Sequence, residues 1–172
     1  NTDDINLILR AGAEKVAINS AITRNPDLIK QASLKFGSQC IVASIEAKKN
    51  ENSWEVMIEN GREKTGLDAI EWAKKVSSLG AGEILVTSID KEGTRKGFDY
   101  DLLKKISNSV DIPVIASGGM GVINDGVKVV QESNVDAVAI ASILHYKKES
   151  ISEIRKVFKE SGINVRDYHA KD

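Results

Sequence analysis

Five short apolar runs, centred near Val16, Ile41, Ile84, Val114 and Val138, constrain this chain more than any other feature. Each is rich in β-branched residues and bounded by turn formers, the pattern of a strand buried on both faces. Segments with helical spacing separate them. Strand and helix in alternation imply a parallel sheet with helical crossovers. Two architectures use these units, a (βα)8 barrel and an open doubly wound sheet. The barrel, present here as about five of its eight strands, is the expected fold. A whole barrel takes about 250 residues, against 172 here. Residues 1–172 are therefore expected to form one partial barrel domain lacking its N-terminal strands.

In chain order, a helix is predicted over residues 4–11, with Ile5, Ile8 and Leu9 on one face and Gly12 as its stop. Residues 15–20 form a strand ending in Asn19 and Ser20, and the Asn25-Pro26-Asp27 signal opens a helix through Leu34. The next strand, 39–47, holds Cys40 as a buried thiol and Glu46 at its end. Residues 48–60 alternate around Trp54, Val56 and Ile58 as a β-hairpin. Helices are expected over 65–79, 99–109, 124–132 and 150–161, and strands over 112–117 and 137–141. The polar tail, 166–172 with His169, is expected to be solvated.

The 24 basic and 25 acidic residues nearly cancel. No strong field points to nucleic acid or to a membrane surface. The apolar runs are far too short to span a bilayer. A cytoplasmic protein is expected. No His, Cys and Asp grouping has metal-ligand spacing, so neither metal nor other cofactor is expected.

The chain also echoes itself. Val16-Ala17-Ile18-Asn19-Ser20 aligns with Val138-Ala139-Ile140-Ala141-Ser142, and Asp3, Ile5 and Leu7 fall on Asp125, Val127 and Val129 without a gap. The echo fits a duplicated barrel half, with similar βα units arising from shared physics as the alternative.

In a barrel all strand C-termini share the ligand-binding face. That face collects Asn19, Ser20, Glu46, Thr87, Asp90, Glu92, Gly93, Ser117, Gly118, Gly119, Ala141 and Ser142. Gly118-Gly119 lets backbone N–H groups approach an anion, and with Ala141-Ser142 it matches the phosphate site that barrels build after their last strands. Asn19-Ser20 occupies the equivalent place in the first repeat, so a ligand bearing a phosphate at each end would fit. Glu46 and Asp90 offer carboxylates between the two sites, where a facing pair can act as acid and base. Taken singly, either could instead pair with Lys48 or Lys91, and Asp90 and Thr94 could simply shape a turn. His145 reads as loop lining. The 62–64 and 147–148 basic runs read as solvated faces.

The segments AGAEKVAINSA, TGLDAIEWAKKVSSLGAGEILVTSIDKEGT, IPVIASGGMG, AVAIASILH and GINVR resemble the cyclase subunit of imidazole glycerol phosphate synthase, from histidine biosynthesis. The resemblance covers nearly the whole chain and the last two-thirds of that family's (βα)8 barrel. It implies that ammonia from a glutaminase partner reacts with a bis-phosphorylated ribulosyl aminoimidazole carboxamide nucleotide. The products would be imidazole glycerol phosphate and aminoimidazole carboxamide ribotide. It further implies phosphate contacts at Asn19, Ser20, Glu92, Gly93, Gly118, Gly119, Ala141 and Ser142, and an ammonia gate at Lys15 and Glu83. Glu14 would lie where the family meets its glutaminase. The family's acid/base pair is two aspartates. One lies on a first strand not in this chain, and the other corresponds to Glu46, one methylene longer. Glu92 likewise replaces an aspartate.

Other readings are a homologue aminating a sugar nucleotide for surface polysaccharide, the related isomerase of the same pathway, and a non-catalytic phosphate-binding or partner-binding part of a barrel. An open five-stranded sheet exposes edges and an apolar face. Self-association of the 172-residue piece is therefore expected.

Overall fold

The computed structural model describes residues 1–166, so the expectations for the tail and His169 lie outside the described residues. The elements are α1 (Thr2–Arg10), β1 (Val16–Ile18), α2 (Ser20–Arg24), α3 (Asp27–Phe36), a 3-10 turn (Ser38–Cys40), β2 (Ile41–Lys49), β3 (Trp54–Ile58) and β4 (Glu63–Asp68). They continue as α4 (Ala69–Ser78), β5 (Glu83–Ser88), α5 (Tyr100–Ser107), β6 (Val114–Ser117), α6 (Ile123–Ser133), β7 (Ala137–Ala139), α7 (Ser142–His145) and α8 (Ile151–Glu160).

Strands β1, β2, β5, β6 and β7 are parallel and neighbour one another in chain order. An open doubly wound sheet reverses its strand order at a switch point. No reversal occurs here, and the architecture is that of a (βα)8 barrel. The barrel is not closed among the described residues, where β1 pairs only with β2 and β7 only with β6. No helix among those residues is long and apolar enough to cross a membrane.

Register fixes two faces. Ile45, Val86, Ala116 and Val138 share one row, and Ile18, Ala43, Ile84 and Val114 another. Ala43, Ile45, Ile84, Val86 and Ala116 are fully buried in the main core, under the helices. The intervening rows, Ser44–Leu85–Ile115–Ala137 and Glu46–Thr87–Ser117–Ala139, form the opposite face. Apart from buried Thr87, every residue in these two rows is half-buried or exposed. A strand run that reads as continuously apolar therefore still carries a ligand-facing row at period two.

The expected hairpin is present: β2 runs past β1, and its end pairs antiparallel with β3, which pairs with β4. The predicted helix over 65–79 is corrected, because residues 63–68 are β4 and the helix begins at Ala69. Tertiary pairing overrides helical spacing here. The Thr65 hydroxyl donates to the Val56 carbonyl at 2.7 Å, and the Asp68 carboxylate caps α4, accepting from the Ile70 and Glu71 amides at 2.9 and 3.0 Å. Cys40 is also corrected: it ends a 3-10 turn and is half-buried. The strand at 15–20 shrinks to three residues because Asn19 turns the chain into α2. His145 closes the short helix α7 rather than lining a loop. Ile8 is 45% exposed, off the buried face of α1.

Burial of Asp68 opposes its ionisation. The Ser53 hydroxyl, the Glu71 and Ile70 amides and Lys74 outweigh that effect and hold the carboxyl below the ordinary aspartate value. A depressed native pKa adds stability above the unfolded-state pKa, which is lost as pH falls through the native one. Asp68→Ala should cost about 0.5–2 kcal/mol near neutral pH. Urea unfolding at about pH 7 and about pH 3 should show the gap to the parent closing on acidification.

Candidate functional site

The row Glu46–Thr87–Ser117–Ala139 crosses four strands at their C-terminal ends and sets the floor of the site. Beyond it β5, β6 and β7 each give way to a turn or loop. Gly118 and Gly119 have φ of +90° and +108°, a region that L side chains rarely take. A Cβ on Gly119 would also run into the Gly97 carbonyl. The Gly97 amide donates to the Gly119 carbonyl at 2.9 Å, which seats the loop after β5 on the Gly-Gly turn.

Those turns enclose a cavity of about 180 Å³, lined by Glu92, Gly93, Ser117, Gly118, Gly119, Ala141 and Ser142 among others. Seven residues singled out in the sequence thus meet at one place. Arg95, Met120, Ala139 and Ile140 complete the lining. Sequence reasoning missed Arg95. Its signal was a cation directly after the KEGT turn, but only the loop's packing brings it to the cavity.

The first repeat unit ends in the same way. Asn19 (φ −113°, ψ −89°) and Ala141 (φ −127°, ψ −67°) adopt similar turns. Each leads into a short helix beginning at a serine, Ser20 or Ser142. The hairpin tip covers this first unit. The Glu59 amide donates to the Ser20 hydroxyl at 3.0 Å, and the Asn19 side-chain amide reaches the Met57 carbonyl at 3.4 Å. Arg24 pairs with Glu59 at 2.8 Å and with Glu63 at 3.4 Å, fastening α2 to the tip.

Glu46 stands between the two units. Burial raises its pKa above the ordinary glutamate value and the Glu92 charge adds to the rise, while the Gly61 amide and Asn19 oppose it. Its Oε2 is shut off from solvent without a hydrogen-bond partner, as is Asn19 Oδ1. Such an oxygen is costly as a bare anion and better accommodated when protonated. The chemistry available is proton donation and return.

Asp90 is corrected. It is exposed, its Oδ2 accepts from the Lys49 amide at 2.7 Å, and it lines a separate hollow with Lys49, Phe98 and Tyr100. It ties the end of β5 to the end of β2 and does not face Glu46. Lys15 and Glu83 form an ion pair at the opposite end of the sheet, about 13 Å along β5 from Thr87. Ser88, beside the site, is held by Asp99, whose Oδ2 also accepts from Trp54 Nε1 at 2.9 Å.

Comparison with known proteins gives consistent results. Imidazole glycerol phosphate synthase subunit HisF from Clostridium botulinum (strain Okra / Type B1) is 50% identical over 168 residues, covering 96% of this chain and 66% of its own length. The protein of that name from Prochlorococcus marinus (strain AS9601) is 48% identical over 171 residues, covering 98% and 67%. A second Clostridium botulinum protein of that name (strain Langeland / NCTC 10281 / Type F) is 49% identical over 168 residues. The chain thus spans about two-thirds of the length of these relatives. The pattern of the family described as histidine biosynthesis protein matches residues 1–150, which takes in all five parallel strands and every residue of the site, and the chain belongs to that family.

Proposed function

We propose that this chain carries the ammonia-using, cyclising activity of imidazole glycerol phosphate synthase. The observation that carries the reading is the row Glu46–Thr87–Ser117–Ala139, which puts a carboxyl with a raised pKa on the same row as Ser117 and Ala139 of the Gly118-Gly119 cavity. The names of its relatives support the same reading. The substrate is the phosphoribulosyl-formimino aminoimidazole carboxamide ribotide, bis-phosphorylated. One phosphate takes the amides of Gly118 and Gly119 and the hydroxyl of Ser142, with Glu92, Gly93 and Ala141 around it. The other takes Asn19 and Ser20, once the hairpin tip gives up the Ser20 hydroxyl. Held at both ends, the substrate presents its reacting centre to Glu46, the catalytic acid/base, with Thr87 and Ser117 lining the floor. Fixing the reactants in this way supplies much of the rate.

Ammonia enters from the opposite end of the barrel, past the Lys15–Glu83 pair, from a glutaminase subunit docked near Glu14. The chain works as one partial barrel domain in the cytoplasm. The test uses full-length protein, an ammonium salt and the bis-phosphorylated substrate. Formation of imidazole glycerol phosphate is the expected result. Phosphate binding with no turnover would overturn the catalytic reading in favour of a binding role.

A further inference from the structure

Of the eleven described residues lining the Gly118-Gly119 cavity, nine are neutral and two are charged, Glu92 and Arg95. A phosphate monoester carries about −1.5 to −2 charges near neutral pH. The Glu92 carboxylate repels such a group, and glycine amides and a serine hydroxyl supply dipoles but no net charge. Among the described residues Arg95 is therefore the one lining side chain able to neutralise it, and its guanidinium is a planar fork matched to phosphate oxygens.

Two further features place Arg95 there by construction. Its backbone is left-handed, with φ +56°, a strained state for a non-glycine residue and one that concentrates at functional sites. Packing holds it so, since a Cβ on Gly121 would strike the Arg95 carbonyl and the next turn is bonded to Gly119. In addition, the guanidinium carbon lies 5.4 Å from the centroid of the Tyr146 ring. Tyr146 caps α7, the helix that begins at Ser142 of the same cavity, and the residue is itself 63% exposed. Its edge-to-face contact with His145, centroids 5.0 Å apart, fixes the platform.

We propose that Arg95 is the phosphate-neutralising residue of this cavity and that Tyr146 is its positioning residue, joining the loop after β5 to the helix after β7. The proposal rests on the phosphate-site reading above. Losing a charge-assisted contact of this kind should raise KM about 10- to 100-fold in Arg95→Met, with kcat little changed. Arg95→Lys should recover part of the loss. Tyr146→Ala should raise KM about 2- to 5-fold, and Tyr146→Phe should leave it at the parent value.

The experiment measures steady-state kinetics of full-length parent and variants with ammonia, alongside melting temperature against inorganic phosphate concentration. A KM rise in Arg95→Met with parent-like melting in the absence of phosphate supports the proposal. A KM within about twofold of the parent overturns it, since twofold lies well below the roughly tenfold minimum expected. A parent that turns nothing over refutes the functional reading alone, and the phosphate melts then decide on Arg95. Stabilisation by phosphate in the parent and not in Arg95→Met supports the proposal, and equal or absent stabilisation overturns it.

Discussion

Replacing Glu46 with glutamine should lower ammonia-dependent turnover by about 10²–10⁴-fold, the usual worth of a positioned general acid or base. The same change has a second signature in stability. Burial, reinforced by Glu92, raises the native pKa of Glu46, so the folded chain holds a proton that the unfolded chain has released. Stability then falls as pH rises from the unfolded-state pKa through the raised native one, and stays flat above it. The glutamine variant carries no such penalty. Its melting temperature relative to the parent should climb over that window and then level off. Glu46→Asp keeps a titrating carboxyl one methylene shorter. It should retain the limb of the pH–rate profile that glutamine abolishes, with a rate change bounded by about a hundredfold for a displacement near an ångström. Glu92→Gln should move that limb to lower pH, because it removes a charge that raises the Glu46 pKa. A glutamine variant with parent-like turnover would remove Glu46 from the chemistry.

Asp99→Ala is expected to be the most damaging substitution for stability. This buried carboxylate accepts from Trp54 Nε1 at 2.9 Å, from the Ser88 hydroxyl at 3.3 Å and from the Leu102 amide at 3.2 Å. It therefore joins the hairpin, the end of β5 and the start of α5 at one point. Alanine leaves the indole N–H buried and unpaired and removes a helix cap. The combined cost is about 3–5 kcal/mol. In a chain of this size that lowers the melting temperature by about 10 °C. Equilibrium unfolding in urea checks the magnitude. A cost under about 1 kcal/mol would show that the Trp54 N–H finds another partner. Trp54→Phe removes the donor together with its need for an acceptor. It should cost clearly less than Asp99→Ala, because no buried donor is then left without a partner.

Much of the fold was legible because it is written in local chemistry. The five strands followed from apolar, β-branched runs, and the helices after them from spacing and from stops such as Gly12. The hairpin showed in the alternation around Trp54. The similarity of the two unit ends was visible in the VAINS and VAIAS segments, and Asn19 and Ala141 adopt similar turns. The failures share a cause. Residues 65–68 have helical spacing, but cross-strand pairing with β3 and the cap at Asp68 claim them for β4. Asp90 sits in a run of polar residues at a strand mouth, but a hydrogen bond from the Lys49 amide holds it outside.

The sequence by itself determined the strand–helix alternation, the family, and the residue types gathered at the strand ends, because period, turn chemistry and the Gly-Gly pair act within a few residues. Only the tertiary structure decided that Glu46, Thr87 and Ser117 share one row, that Arg95 joins the cavity while Asp90 does not, and that Asp99 anchors the site from beneath. Those outcomes depend on register between strands distant in sequence and on one loop packing against another. Local pattern carries no record of either.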